Sequence, residues 1–278
     1  MSGGRNRGIA LLLVLWGVTL IAVLVAGLAR TAGFEIRRSA NMMSAASARA
    51  ALDSGFAAGV AGLLAADPDQ RWRADGTPYR VDLDGARFRI TLHAENGRID
   101  LNNARLDVLK RFLADRLGDE LAARVVAQGR TLLGVDRAGF RPMLSVVEMA
   151  GVPGIDARTY AALAEDATVY NRSGLLDWRT ADAATLALLP GMTRDAMARL
   201  LASRQESNYT PDPDLFRILA AAGPSSLSVE NQAYTMRLSV QMSNRAEATA
   251  EVVFRITNNG ASPYRILEWR SPALADQP

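Results

Sequence analysis

The chain has 278 residues, 49% of them hydrophobic and 22% charged, and its net charge is only +3. It has no cysteine, a single histidine and a single lysine, Lys110, which excludes disulfides and all but excludes a typical zinc site. Its many arginines are interspersed with acids, so no basic tract marks a dedicated nucleic-acid binder.

The first predicted element is an apolar helix. Arg5 and Arg7 lead to Gly8, and Ile9 to Ala29 then runs without a charge. As a helix this run would be about 31 Å long, enough to cross a bilayer's hydrocarbon core, with the basic leader kept on the cytoplasmic side. A cleaved secretory signal has an apolar core of roughly 7–15 residues, shorter than this one. An uncut anchor is a second reading. A third is a type III signal, cut after glycine between Gly8 and Ile9, which leaves the apolar run as the start of a mature helix.

The residues after Ala29 favour the third. From Arg30 to Ala65 there is no proline and alanine is abundant, so helix propensity stays high. Leu52, Phe56, Val60 and Leu63 recur at helical spacing and mark one apolar face. Asp67-Pro68 is the first strong stop. The spacing predicts one helix from Ile9 to Ala65, roughly 85 Å long. The boundaries expected are a leader at 1–8, a transmembrane half at 9–29 and a second half at 30–66.

A hairpin comes next, within 70–98. Tyr79, Val81 and Leu83 alternate with polar residues, as do Phe88, Ile90 and Leu92, and Asp84-Gly85 suits the tight turn between them. Asn96-Gly97 makes a further turn. Residues 99–223 read mainly as short helices. Strands return at 224–278: Tyr234, Met236, Leu238 and Val240 alternate, as do Val252, Phe254 and Ile256, and Asn258-Asn259-Gly260 turns the chain into Tyr264 to Trp269. The expected fold class is α+β, a long N-terminal helix packed on an antiparallel sheet that carries a mostly helical insertion.

The insertion contains a weak repeat. Asp100-Leu101-Asn102-Asn103-Ala104 precedes Leu109, and Asp177-Trp178-Arg179-Thr180-Ala181 precedes Leu186 at the same spacing. Asn103 and Thr180, immediately before alanine, fit helix N-caps.

The start Arg5-Asn6-Arg7-Gly8-Ile9-Ala10-Leu11-Leu12-Leu13-Val14-Leu15-Trp16 resembles the pilin superfamily, and within it the K-type minor pseudopilin (GspK) of the type II secretion system. Most pilins and pseudopilins carry glutamate at the fifth position of the mature chain; Leu13 stands there in this sequence. K-type pseudopilins lack that glutamate, which suits a subunit at a filament tip. They also carry an asparagine-rich motif ahead of helices, ending in Asn/Thr-Ala. Residues 102–104 match it well, while Thr180 and Ala181 keep only the end of a degenerate second copy.

The resemblance implies an inner-membrane protein with one span and a periplasmic C-terminal head. Its partners would be I-type and J-type minor pseudopilins, the major pseudopilin and a prepilin peptidase, which cuts at Gly8 and leaves Ile9 N-methylated. It implies no nucleic-acid partner.

Two further patterns bear on function. Val152-Pro153-Gly154-Ile155 and Leu189-Pro190-Gly191-Met192 are similar to the turn of a helix-hairpin-helix motif, whose amides hold a phosphate. A membrane-anchored DNA receptor of a DNA-uptake system is therefore the alternative reading. Asp156 opposes it by repelling phosphate, and Arg158 and Arg194 are the only nearby cations.

Calcium is left open, because it takes oxygen ligands and Asp67/Asp69, Asp82/Asp84 and Asp212/Asp214 are spaced pairs. None falls in a recognisable motif, so the metal site is unknown. His93, the sole histidine, lies in a predicted strand and reads as a packed or surface residue. No Ser-His-Asp arrangement exists without it and no Gly-rich loop with lysine is present, so the chain reads as a non-enzyme with no certain cofactor.

Overall fold

The computed structural model describes residues 5–132, 142–204, 211–220, 231–243, 246–259 and 262–271, with side chains at 5–13, 26–37, 127–132 and 258–259 outside the description. Two compact units divide at Asp53 and Ser54.

Helix α1 runs from Arg5 to Leu63, so it ends before Ala65. In the first unit the side chains from Val14 to Val25 are almost all apolar and most are exposed. Arg49 pairs with Asp53 one turn on, at 3.2 Å. Leu52, Phe56, Val60 and Leu63, the face predicted from spacing, are all buried.

In the second unit the architecture is α+β. Strands β1 (Asp75–Leu83), β2 (Ala86–Ala94), β5 (Ala233–Gln241), β6 (Glu247–Asn259) and β7 (Ser262–Arg270) form one sheet in the order β1-β2-β5-β6-β7. Every neighbouring pair in it is antiparallel. The β1–β2 turn has Asp84 at φ 50° and Gly85 at φ 75°, the left-handed pair that matches the strands' twist.

The last turns of α1, from Ser54 to Leu63, lie on this sheet. Alternation gives β2, β5 and β6 a common apolar face, with Ile90, Leu92, Met236, Val252 and Phe254 essentially solvent-free. The helix comes close because glycines face it. A Cβ on Gly55 would fall 2.7 Å from the Phe88 ring, and one on Gly59 would fall 2.5 Å from Met236 Cε. Between them Phe56 sets its ring edge-on to Phe254 at 5.2 Å, Tyr264 at 5.1 Å and Trp269 at 5.8 Å.

Between β2 and β5 the chain builds a mostly helical insertion. It comprises α2 (Leu106–Leu117), α3 (Asp119–Leu132), a 3₁₀ turn (Val146–Gly151), α4 (Ala157–Asp166), α5 (Ala183–Ala187), α6 (Arg194–Ser203) and α7 (Pro213–Leu219). These elements share their own apolar core, in which Phe112, Leu163, Leu186, Leu200 and Leu215 are fully buried. Two short strands, β3 (Ile99–Asp100) and β4 (Ala167–Thr168), pair in parallel within it. Two residues are too few to show a period, so sequence spacing did not reveal them.

Candidate assembly and processing sites

Gly8, Ile9 and Leu13 lie in α1, and their surroundings fall outside the described residues. Among the described residues no helix is long and apolar enough to cross a membrane; within the run 9–29, side chains are described only at 14–25. In that stretch Thr19 turns its hydroxyl back onto the carbonyls of Leu15 (3.1 Å) and Trp16 (2.8 Å). The one hydroxyl in an apolar face is thus satisfied inside its own helix.

The repeated motifs stand ahead of α2 and α5, but the caps fall elsewhere. The cap of α2 is Arg105, with no side-chain bond, and that of α5 is Asp182, which accepts the Thr185 amide at 2.5 Å. Asn103 and Thr180 are therefore not caps. Aspartate organises each copy instead, because its carboxylate reaches the amide two residues on and, in the first copy, the amide three residues on as well. Asp100 Oδ1 accepts from the amides of Asn102 (2.8 Å) and Asn103 (2.7 Å) and from Asn103 Nδ2 (3.1 Å). Asp177 Oδ1 accepts from the Arg179 amide at 3.0 Å.

In each copy the alanine amide closes a turn onto the aspartate carbonyl at 2.9 Å. Asn102 does a separate job: its amide group takes the Met143 N–H at 2.9 Å and donates to the Met143 carbonyl at 3.0 Å. Ala104 is half-buried and Ala181 fully buried. Burial pushes the Asp100 carboxyl up to about 6, and Asp177 is raised for the same reason.

The insertion is tied to the sheet by a polar cluster that sequence reading missed. Glu95, just past β2, is 1% exposed. It accepts from the hydroxyls of Thr168 on β4 and Thr235 on β5, and from Arg98 at 3.2 Å. Beside it Asn96 donates to Asp177 Oδ2 (3.3 Å) and Gln232 Oε1 (3.2 Å) and accepts from the Thr180 hydroxyl (3.3 Å). Tyr170 adds a bond to Glu268 of β7 at 2.7 Å. The one signal in the sequence was the acid next to Asn96-Gly97 at the end of an alternating strand.

A second cluster joins three helices. Arg116 of α2 donates to Asp166 Oδ2 at 2.5 Å, and Asp166 shares a hydrogen bond with Asp182, the cap of α5. Burial and this acidic neighbour raise the Asp166 carboxyl to about 6. Asp182 is held below the usual range against its own burial, by Asp166, the Thr185 amide and Arg116.

The aspartate pairs considered for calcium serve the fold. Asp67 accepts from the Asp69 amide at 3.0 Å, Asp84 occupies the β1–β2 turn, and Asp212 caps α7 through the Leu215 amide at 2.8 Å. Asp212 and Asp214 also pair with Arg199 and Arg217. Among the described residues no group of three acids or histidines is placed to hold a metal. His93 packs against Gly76, and burial with Arg98 and Arg237 nearby pushes it down to about 4.

The two Pro-Gly turns have the left-handed glycine of a tight turn, with Gly154 at φ 99° and Gly191 at φ 82°. Each leads into a capped helix. Asp156 accepts the Thr159 amide at 2.7 Å and Thr193 accepts the Ala196 amide at 3.1 Å, so side chains occupy the space a phosphate would need.

No protein-family model matches the chain, and no curated protein does. A solved structure is similar: a chain in the crystal structure of the GspK-GspI-GspJ complex from the enterotoxigenic Escherichia coli type 2 secretion system. It aligns with a TM-score of 0.54 at 14% identity, over 84% of this chain and 99% of that chain. At that identity the likeness is one of fold, and the fold of this protein is GspK-like.

Proposed function

We propose that the chain is a minor pseudopilin at the tip of a type II secretion pseudopilus, where it initiates assembly and supports protein export across the outer membrane. The observation that carries this reading is the GspK-like fold, in which a long N-terminal helix leads into a sheet with a large helical insertion. Two features of the helix support it. Gly8 stands between the basic leader and the apolar run, where a prepilin peptidase would cut and leave Ile9 N-methylated. Leu13 occupies the position at which a shaft subunit would offer a carboxylate.

The physical argument for a tip position is electrostatic. A free amino terminus buried among apolar helices is costly unless a neighbour neutralises it. Leu13 gives an adjoining subunit no such partner, so the chain suits one place per filament. Its run from Ile9 to Ala29, with Thr19 satisfied internally, suits a single span of the inner membrane with the C-terminal head in the periplasm. The partners proposed are I-type and J-type minor pseudopilins and, below them, the major pseudopilin.

The test is co-expression with those partners and a prepilin peptidase, followed by purification and mass measurement. The expected result is a 1:1:1 complex whose copy of this chain begins at Ile9. An amino terminus beyond Ala29, polymerisation of this chain alone, or its repeated occurrence along a shaft would overturn the proposal.

A further inference from the structure

The sheet has a second face, and only part of it is covered. Near the insertion, the cross-strand neighbours Thr235 and Val253 are buried there, and Thr235 donates to Glu95. Towards the β1–β2 turn the same face is open and carries Arg80, Arg87, Arg89 and Arg237 together with the acids Asp82, Glu247 and Glu251.

Arg80 and Arg89 stand directly opposite each other in the register. Like charges in that relation destabilise a strand pair, so the fold gains nothing from the arrangement. None of Arg80, Arg87 and Arg89 forms an ion pair among the described residues. Of the nearby acids, Glu251 pairs with Arg237 at 2.8 Å and with Arg270 at 3.1 Å, Glu247 accepts from Gln241 at 3.2 Å, and Asp82 stands opposite Arg87 and away from the Arg80–Arg89 pair.

A cavity of about 320 Å³ opens in this surface, lined by Arg89, Thr91, Arg237, Ser239, Thr249 and Glu251 with Leu238 and Ala250 between them. Its polar lining is two guanidinium groups and three hydroxyls, with one carboxylate that Arg237 already neutralises. That set donates hydrogen bonds to a carboxylate, and arginine does so through two parallel N–H groups. No aromatic ring lines it, so it lacks the stacking platform on which nucleic-acid bases rest.

We infer that this open face docks an acidic, extended segment of a protein partner, with one carboxylate seated between Arg89 and Arg237. Alternate side chains of an extended chain lie roughly 7 Å apart, which is also the spacing of Arg87 and Arg89 along β2. A segment with acids at alternate positions would therefore meet successive arginines. The inference rests on the sheet alone and stands or falls independently of the tip reading.

The experiment titrates the full chain, in detergent micelles, with a fluorescent peptide of alternating Glu and Thr. The controls are the same peptide with Lys for Glu, a short single-stranded oligonucleotide, and anionic phosphatidylglycerol vesicles. The expected result is saturable binding of the acidic peptide, weakened roughly tenfold in the double variant Arg80→Gln/Arg89→Gln, a loss expected of charge-assisted bonds. Arg199→Gln, on another surface, should leave it unchanged.

The double variant removes a like-charge pair from exposed positions, so its thermal midpoint should be equal to or above that of the wild type, which separates lost binding from lost folding. No binding, an equal loss in Arg199→Gln, binding unaffected by the double variant, or equal binding of oligonucleotide or vesicles would overturn the inference.

Discussion

Asn96 and Asp177 hold each other twice across 81 positions of sequence: the Asp177 amide donates to the Asn96 carbonyl at 2.7 Å, and Asn96 Nδ2 donates to Asp177 Oδ2 at 3.3 Å. The end of the sheet hairpin is thereby fixed to the second copy of the repeated motif. With Glu95 beside it, this junction makes the insertion part of the sheet's own polar framework.

Breaking that framework should be costly. Glu95→Ala leaves the Thr168 and Thr235 hydroxyls and Arg98 without their shared acceptor in a buried site. A loss of about 3 kcal/mol or more is expected, against a smaller one for Glu95→Gln, which keeps an acceptor oxygen. Denaturant unfolding of the two variants beside the wild type would measure it; equal stability of Glu95→Ala would refute the assignment.

The aspartate, and not the asparagine, should dominate the repeated turn. Asp100→Ala removes the acceptor for three donors and should cost about 2–4 kcal/mol, whereas Asn103→Ala should cost about 1 kcal/mol or less. Thermal melts of both variants would show the order, and the reverse order would return the capping role to Asn103.

Close approach of α1 to the sheet gives a third expectation. Gly55→Leu places atoms inside the Phe88 ring and should destabilise by about 1–3 kcal/mol. Gly59→Ala meets the flexible end of Met236 and should be tolerated better. Calorimetry that ranked the two the other way would contradict the packing described.

Acidity should act on the insertion with an unusual sign. Asp166, held at about 6, and Asp100, also at about 6, bind a proton more tightly when folded than at the ordinary 3.8. Their contribution to stability is therefore fully present below about 4 and is lost as pH rises through about 6. Asp182, held low, stays charged through that window. His93 opposes them: it is depressed to about 4 from 6.5, so it costs stability as pH falls through that range. Relative to the wild type, Asp166→Asn should lose roughly 1–3 kcal/mol between pH 7 and pH 4. Melts of both proteins across that range would test it, and parallel curves would argue against a raised carboxyl.

The sequence made the regular elements legible where a period was long enough to see. Tyr79, Val81 and Leu83 against Phe88, Ile90 and Leu92, with Asp84-Gly85 between, form β1, β2 and their turn as the alternation predicts. Val152-Pro153-Gly154 and Leu189-Pro190-Gly191 were legible as turns, and Gly154 and Gly191 take the positive φ that such turns require. The caps were misplaced because Asn and Thr are good caps in general, while here each helix begins two residues later, α2 after Arg105 and α5 after Asp182, whose carboxylate accepts the Thr185 amide. The Glu95 cluster was hidden for a different reason. Its partners lie 73 and 140 positions away, and no local pattern encodes a bond of that span.

The adjacency of β2 and β5 has a consequence for the order of events as the chain folds. Asn96 and Gln232 are 136 positions apart yet bonded at 3.2 Å, so the insertion leaves and rejoins the sheet at nearly one point. An unstructured loop of that length imposes a loop-closure entropy that a collapsed one does not. Once the helices have gathered around Phe112 and Leu163, the two strands become near neighbours in effective chain length. The centre of the sheet is thus expected to form late, after the collapse of a part of the molecule that contributes no strand to it.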